Sequence, residues 1–243
     1  MRVWQALTNF PLTDPVAVVT RNGLVLASGL ATTPALYNLG LGAYDPLREL
    51  LDAASGERAD LDGSGTVIAY TAGPPGKRRV QLFDRRLRVI NVLSRLNVAD
   101  ETFDPTIDAA GRWLACVTRQ SGQQDLMLYD TLTGLTDPLP EINSPANESH
   151  PALEASGRFL AYIASNGDPP AVRLFDRQLG GIDTLPGLNG LGAMTRVQFS
   201  ADGRQIVVAF QRDGHQQTAA YDRATGFIDP LRELNQPGSD VTF

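Results

Sequence analysis

Residues 105–130 read PTIDAAGRWLACVTRQSGQQDLMLYD, and residues 151–176, 46 positions later, read PALEASGRFLAYIASNGDPPAVRLFD. Both stretches open on proline, place Gly-Arg ahead of an apolar run, and end on an aromatic followed by aspartate. The period extends outward in both directions. Gly65, Gly111, Gly157 and Gly203 are 46 apart, and the runs after them are TVIAY, RWLACV, RFLAYI and RQIVVA. The aromatic pair keeps phase at Tyr37-Asn38, Phe83-Asp84, Tyr129-Asp130, Phe175-Asp176 and Tyr221-Asp222. Asp45, Asn91, Asp137, Asp183 and Asp229 repeat it, as do Leu50, Leu96, Ile142, Leu188 and Leu234. Five copies of one structural unit follow.

Each copy reads as four strands, a to d. Strand a is short, as at Thr106-Ile107-Asp108, and closes on b through a two-residue turn ending in the periodic glycine. Asn22-Gly23 and Asp202-Gly203 suit a type I′ hairpin, in which both central residues take positive φ. Strand b, such as Val67-Ile68-Ala69-Tyr70, is nearly all apolar, as expected of a strand covered on both faces. Strand c alternates, as in Val172-Arg173-Leu174-Phe175. Asp-x-x-x-Gly at Asp130 to Gly134, Asp176 to Gly180 and Asp222 to Gly226 predicts a carboxylate-capped turn with a left-handed glycine. In the second copy Arg88 replaces that glycine. Pro46, Pro138 and Pro230 are expected inside strand d. A proline lacks the N–H a sheet interior needs, so strand d is outermost.

These features predict an all-β fold, a β-propeller of four-stranded antiparallel blades in five 46-residue repeats, with strand a innermost. A linear solenoid is the alternative stacking. One domain is expected over 1–243, with blades at about 14–47, 58–93, 104–139, 150–185 and 196–231. Residues 2–7, RVWQAL, resemble strand d of the second copy, RVINVL at 88–93, and Val241-Thr242-Phe243 reaches the start of another strand a. Five blades are the expectation. A six-bladed ring with an incomplete blade is the alternative.

The chain's 23 glycines and 16 prolines suit many short strands separated by turns. Its formal charge of -6, without a Lys/Arg stripe, argues against nucleic acid as a partner. Lys77-Arg78-Arg79 is read as a solvated loop. Cys116, the single cysteine, can form no internal disulfide and aligns with Tyr70 and Tyr162 in strand b, a core position. No apolar run approaches the roughly 18 residues of a membrane span. The opening MRVWQALTNFPLTDP does not read as a signal peptide.

The repeat from Pro105 to Asp130 and from Pro151 to Asp176 resembles that of TolB-like propellers, and related repeats occur in the propeller domains of prolyl oligopeptidase-like enzymes. The resemblance covers about residues 14 to 236 and is best in the second to fourth copies. It departs in blade number, since TolB has six, and in the small amino-terminal domain TolB carries. It implies a bacterial protein, periplasmic or otherwise exported, that presents loops to protein partners. It assigns neither catalytic residues nor a cofactor.

A site in a repeat protein is expected where one copy departs from the others. Arg58, Asp104, His150 and Arg196 occupy equivalent positions in the loops just before strand a, where they would ring one mouth of the central channel. With Glu148 they are the expected binding residues; four solvated loop residues are the alternative. His150 belongs to the residue type that titrates near neutral pH. Asp62, Asp108 and Glu154, followed in phase by Ser200, are either repeated acceptors for turn amides or the acid and base of a five-bladed glycoside hydrolase. Asp60-Leu61-Asp62-Gly63-Ser64-Gly65 spaces oxygens as a calcium loop does but lacks the later bidentate acid, so no metal is assigned. Neither a nucleophile elbow nor a phosphate loop is present. The expected function is a non-catalytic scaffold binding a protein or peptide through one mouth, without a cofactor. A carbohydrate-binding or glycoside-hydrolase-like propeller is the alternative, and an accessory propeller of a longer chain is a third.

Overall fold

The computed structural model describes residues 15–21, 24–29, 32–45, 47–50, 58–165, 169–232 and 235. These residues form five four-stranded antiparallel sheets, each with its strands in chain order. The first holds β1 (Pro15–Arg21), β2 (Leu24–Gly29), β3 (Thr32–Asn38) and β4 (Ala43–Asp45). The second holds β5 (Asp60–Leu61), β6 (Val67–Ala72), β7 (Arg79–Asp84) and β8 (Val89–Val92). The third holds β9 (Glu101–Ile107), β10 (Trp113–Gln120), β11 (Gln123–Asp130) and β12 (Leu135–Asp137). The fourth holds β13 (Glu148–Leu153), β14 (Phe159–Ala164), β15 (Ala171–Asp176) and β16 (Gly181–Asp183). The fifth holds β17 (Ala193–Phe199), β18 (Gln205–Arg212), β19 (His215–Asp222) and β20 (Ile228–Asp229). The segment 2–7, the Asn22-Gly23 pair, Pro46, Leu234 and residues 241–243 lie outside the described residues.

The sheets stack face to face, which explains the apolar second strands. Ile68 and Tyr70 of β6 pack with Leu26 and Leu36 of the first sheet. Ala69, between them, turns the other way and joins Ile107, Leu114 and Cys116 of the third. In β14, Leu160 and Tyr162 face the third sheet while Ala161 and Ile163 face the fifth. Because side chains alternate along a strand, burial on both faces demands an apolar residue at every position. Each fully buried leucine or isoleucine contributes roughly 1.5–3 kcal/mol. The first strands contact one another in succession, β5 with β9, β9 with β13 and β13 with β17.

Several turns differ from the expectation. Gly203 N donates to Ser200 O at 2.9 Å, and Gly203 has φ 69 while Asp202 does not enter the left-handed region. The Asp202-Gly203 pair therefore ends a wider turn and is not a type I′ hairpin: the side chain of Ser200 reaches across to the Gln205 amide at 2.9 Å and holds the loop open. Pro138 and Pro230 fall one residue past β12 and β20, not inside them. Asp137 and Asp229 end those strands by accepting the Leu139 and Leu231 amides at 2.9 and 3.0 Å. The fourth strands are nonetheless the sheet edges.

The Asp-x-x-x-Gly turns form as expected. Asp130 Oδ1 accepts from Leu132 N at 2.9 Å, Gly134 has φ 70, and Arg88, in the glycine's place, has φ 58. The Arg of each Gly-Arg pair reaches the same aspartate, as Arg112 to Asp130 at 3.0 Å and Arg158 to Asp176 at 2.6 Å. The Arg following that aspartate crosses to the preceding sheet: Arg177 lies 4.0 Å from the Trp113 ring centroid and Arg223 3.9 Å from that of Phe159. Adjacent blades are thus pinned by a cation over an aromatic face.

Candidate functional site

The first strands of the third, fourth and fifth sheets are bulged. In the third, Ala115 pairs with Thr106 and Val117 with Phe103, so Asp104 and Pro105 together oppose Cys116. In the fourth, His150 and Pro151 together oppose Tyr162, and in the fifth the shift falls between Met194 and Arg196. Asp104 and His150 take φ 52 and 50. A bulge re-aims a side chain, and left-handed backbone outside glycine costs on the order of 1 to 3 kcal/mol and clusters at ligand sites. Asp104, His150 and Arg196 accordingly lie within β9, β13 and β17, not in loops before them. The sequence expectation missed this because pairing begins ahead of the bulge, at Glu101 opposite Arg119 and Glu148 opposite Ala164.

The four copy-specific residues come together. Arg58 Nη1 donates to Pro151 O at 3.1 Å and stands 3.8 Å from Asp104 Oδ1. Arg58 is only 8% exposed, and its Nε has no hydrogen-bond partner among the described residues. Burial holds the His150 imidazole below its usual pKa. Asp104 opposes the shift, while Arg196 and Arg58 reinforce it. Burial likewise lowers the pKa of Arg196, with Arg58 adding to the effect and Asp104 opposing it. Among the described residues, Asp104 is the carboxylate that acts on both the Arg196 guanidinium and the His150 imidazole.

Glu148 stands apart from this group. It is buried, accepts from Ser144 Oγ at 2.6 Å, and has its pKa raised by burial, with Asp125 and Arg173 as its charged neighbours. Two residues on from Arg58, Asp60 Oδ2 accepts from Thr106 Oγ1 at 2.8 Å and Ile107 N at 2.9 Å, and Thr106 Oγ1 accepts from Leu153 N at 3.2 Å. Asp60 thus ties three first strands together.

At the other end of these strands the periodic acids serve their own turns. Asp62 Oδ1 accepts from Val67 N at 2.9 Å, Asp108 Oδ1 from Arg112 N at 2.7 Å, and Glu154 Oε2 from Ser156 N at 3.1 Å. Backbone bonds lace the turns to one another, Gly63 N to Ala109 O at 2.9 Å and Ala109 N to Ala155 O at 3.0 Å. Among the described residues no group of three or more His, Cys, Asp or Glu could hold a metal ion. Cys116 is fully buried, and burial pushes its thiol far up.

Two further clusters escaped the sequence reading. Arg78 is not a solvated loop residue: its Nε and Nη2 donate to Glu101 at 2.7 and 3.0 Å, Arg119 Nη1 joins at 2.6 Å, and Arg78 lies 3.8 Å over the Phe103 ring. An open groove of about 450 Å³ between the second and third sheets is lined by Leu82, Asp84, Asn91, Val92 and Tyr129, none of them an expected site residue.

Four-stranded antiparallel sheets stacked about their first strands make this chain a β-propeller protein. Its solved neighbours include TolB from Acinetobacter baumannii, with TM-score 0.69 and 14% identity over 87% of this chain and 53% of that one. A TolB from Agrobacterium tumefaciens gives 0.70 and 13% over 88% and 79%. An oligogalacturonate lyase in complex with manganese gives 0.63 and 9% over 88% and 63%. The chain thus spans about half of the A. baumannii protein. No protein-family model matches it, and no curated protein matches it by sequence. At these identities the likeness is one of fold. No helix among the described residues is long and apolar enough to cross a membrane.

Proposed function

We propose that this chain is a non-catalytic propeller that binds a protein or peptide where Arg58, Asp104, His150 and Arg196 meet. The observation that carries this reading is the convergence of four residues from four successive copies, two of them on left-handed bulges. The acids shared by the copies are engaged in turn hydrogen bonds at the opposite end, which leaves the copy-specific end as the place where one ligand could be told from another. The same reading takes the ring as five-bladed, on the five copies and the five sheets they form. Selection of a peptide-display library on the protein, with counter-selection on an Asp104→Ala, His150→Ala, Arg196→Ala variant, tests the reading. Peptides that bind the native chain and not the folded variant support it; peptides that bind both equally remove these residues from the site.

A carbohydrate-binding or carbohydrate-active propeller is the second reading, supported by the fold likeness to the oligogalacturonate lyase. A glycan array run with a hydrolase and lyase screen would detect it, and silence in both would end it.

A further inference from the structure

We propose that the groove between the second and third sheets seats an arginine side chain presented by a partner protein, with Asp84 as its anchor. It lies on the side of the a–b turns, away from the mouth, and stands or falls independently of the binding reading above. The observation behind it is an interruption in the chain's own pattern. At the junction of the third and fourth sheets, the Trp113 ring carries two guanidinium groups, Arg112 at 4.8 Å and Arg177 at 4.0 Å from its centroid. At the junction of the fourth and fifth, Phe159 carries Arg158 at 4.7 Å and Arg223 at 3.9 Å. The residues 46 positions before Arg112, Trp113 and Arg177 are Thr66, Val67 and Thr131. All three are shorter than their counterparts, and Val67 and Thr131 both line the groove of about 450 Å³.

The missing arginine leaves a carboxylate open. Arg112, Arg158 and Arg204 each place Nη2 on Oδ2 of the aspartate that ends their third strand, at 3.0, 2.6 and 2.7 Å. In the second copy Thr66 cannot reach so far, and its hydroxyl accepts from Ser64 Oγ at 2.8 Å. Asp84 Oδ1 accepts the Arg86 and Leu87 amides, each at 2.9 Å, while Oδ2 has no hydrogen bond or ion pair among the described residues. Asp84 is half-buried and lines the groove. Arg85 beside it is engaged by the Gly65 carbonyl and stands 3.6 Å from Asp45 of the first sheet. A guanidinium fits this vacancy because its planar fork matches a carboxylate and it gives up water more readily than an ammonium does. The aliphatic stem of an arginine would cover Val67 and the exposed Val92 on the groove wall. The chain's formal charge of -6 favours the approach of a basic segment.

Acetyl-Ala-Arg-Ala-amide is titrated into the full chain while backbone amide resonances are followed by NMR. Its citrulline counterpart, neutral and of nearly the same shape, and its lysine counterpart serve as comparisons. The arginine probe is expected to move the Gly111, Thr131 and Val92 signals saturably, with those of Asp104 and His150 in place. The lysine probe should bind about threefold more weakly, and the citrulline probe should leave the groove unmoved. Asp84→Asn should weaken arginine binding about tenfold. That variant keeps its turn, since Asn38 already accepts the Gly40 and Leu41 amides at 2.9 and 3.0 Å in the first copy. Thr66→Arg supplies the missing arginine from the chain itself, so it should abolish probe binding with the melting temperature unchanged or raised. Equal shifts from citrulline, equal affinity for lysine, or native affinity in either folded variant would overturn the proposal. An arginine probe that moves the mouth and not the groove would also overturn it, and would leave the binding reading at the mouth standing.

Discussion

The Glu101 carboxylate of the third sheet is gripped by both arms of the Arg78 guanidinium of the second, at 2.7 and 3.0 Å, although 23 residues separate them. Arg119 closes the other side at 2.6 Å, and the Gly76 amide donates at 2.5 Å. The pair with Arg78 holds the carboxyl well below its ordinary range, at about 2, against the opposing effect of burial. Glu101 therefore stabilises the fold fully above its unfolded pKa, and that contribution is lost as pH falls from about 4.3 towards 2. Glu101→Gln should cost about 3–5 kcal/mol at pH 7 and flatten this part of the acid limb in urea melts. A loss below 1 kcal/mol would show that the cluster does not join the two sheets.

The Arg177 and Trp113 contact makes a second test of blade cohesion. Trp113 lies between Arg112 of its own sheet, 4.8 Å from the ring centroid, and Arg177 of the next. A double-mutant cycle with Arg177→Met and Trp113→Leu should give a coupling of about 1–2 kcal/mol. Zero coupling would reduce the ladder to incidental packing.

Two left-handed glycines should respond differently to alanine. Gly180 has φ 67 and open space about it, so Gly180→Ala should cost about 1–2 kcal/mol, the backbone penalty alone. At Gly157, φ 72, an added Cβ would fall 2.7 Å from Trp113 Cδ1 and 2.9 Å from Asp108 Oδ2 of the neighbouring sheet. Gly157→Ala should lose about 1–3 kcal/mol more. Equal losses would mean that the a–b turn is not pressed against the adjacent blade.

His150 should make the native fold acid-sensitive. Its folded pKa lies below the unfolded value of about 6.5, so the unfolded chain takes up a proton first and stability falls as pH drops below that value. His150→Gln should remove this slope between pH 7 and 5 in the absence of ligand. An unchanged slope would place the ring in solvent.

Much of the architecture is written in the 46-residue phase, because each periodic residue has a repeated local task. The periodic glycines take left-handed turns, and the aspartates at 130, 176 and 222 accept their own turn amides. Asn97, Asn143 and Asn189 keep the same phase and cap the third strands, each donating from Nδ2 to a strand carbonyl at 2.7–2.8 Å. That signal was legible and went unused. The cluster was legible only as a set of departures from the repeat. Its geometry was not, because a bulge depends on where pairing resumes across the hairpin, and Asp104 and His150 carry no local mark of it. The Arg78 and Glu101 pair is tertiary, and a basic triplet reads alike whether solvated or buried. Asp202-Gly203 misled because the last two residues of a wider turn spell the same dipeptide as a tight hairpin.

Hydrogen exchange, with and without a peptide selected on the native chain, tests the central claim most directly. Binding at the mouth predicts slowed exchange at 101–106, 148–152 and 193–197, the strand segments that carry Asp104, His150 and Arg196, with the a–b turns at 108–112 and 154–158 unchanged. Protection confined to those turns or to the fourth strands, with the bulged segments unaffected, would contradict it.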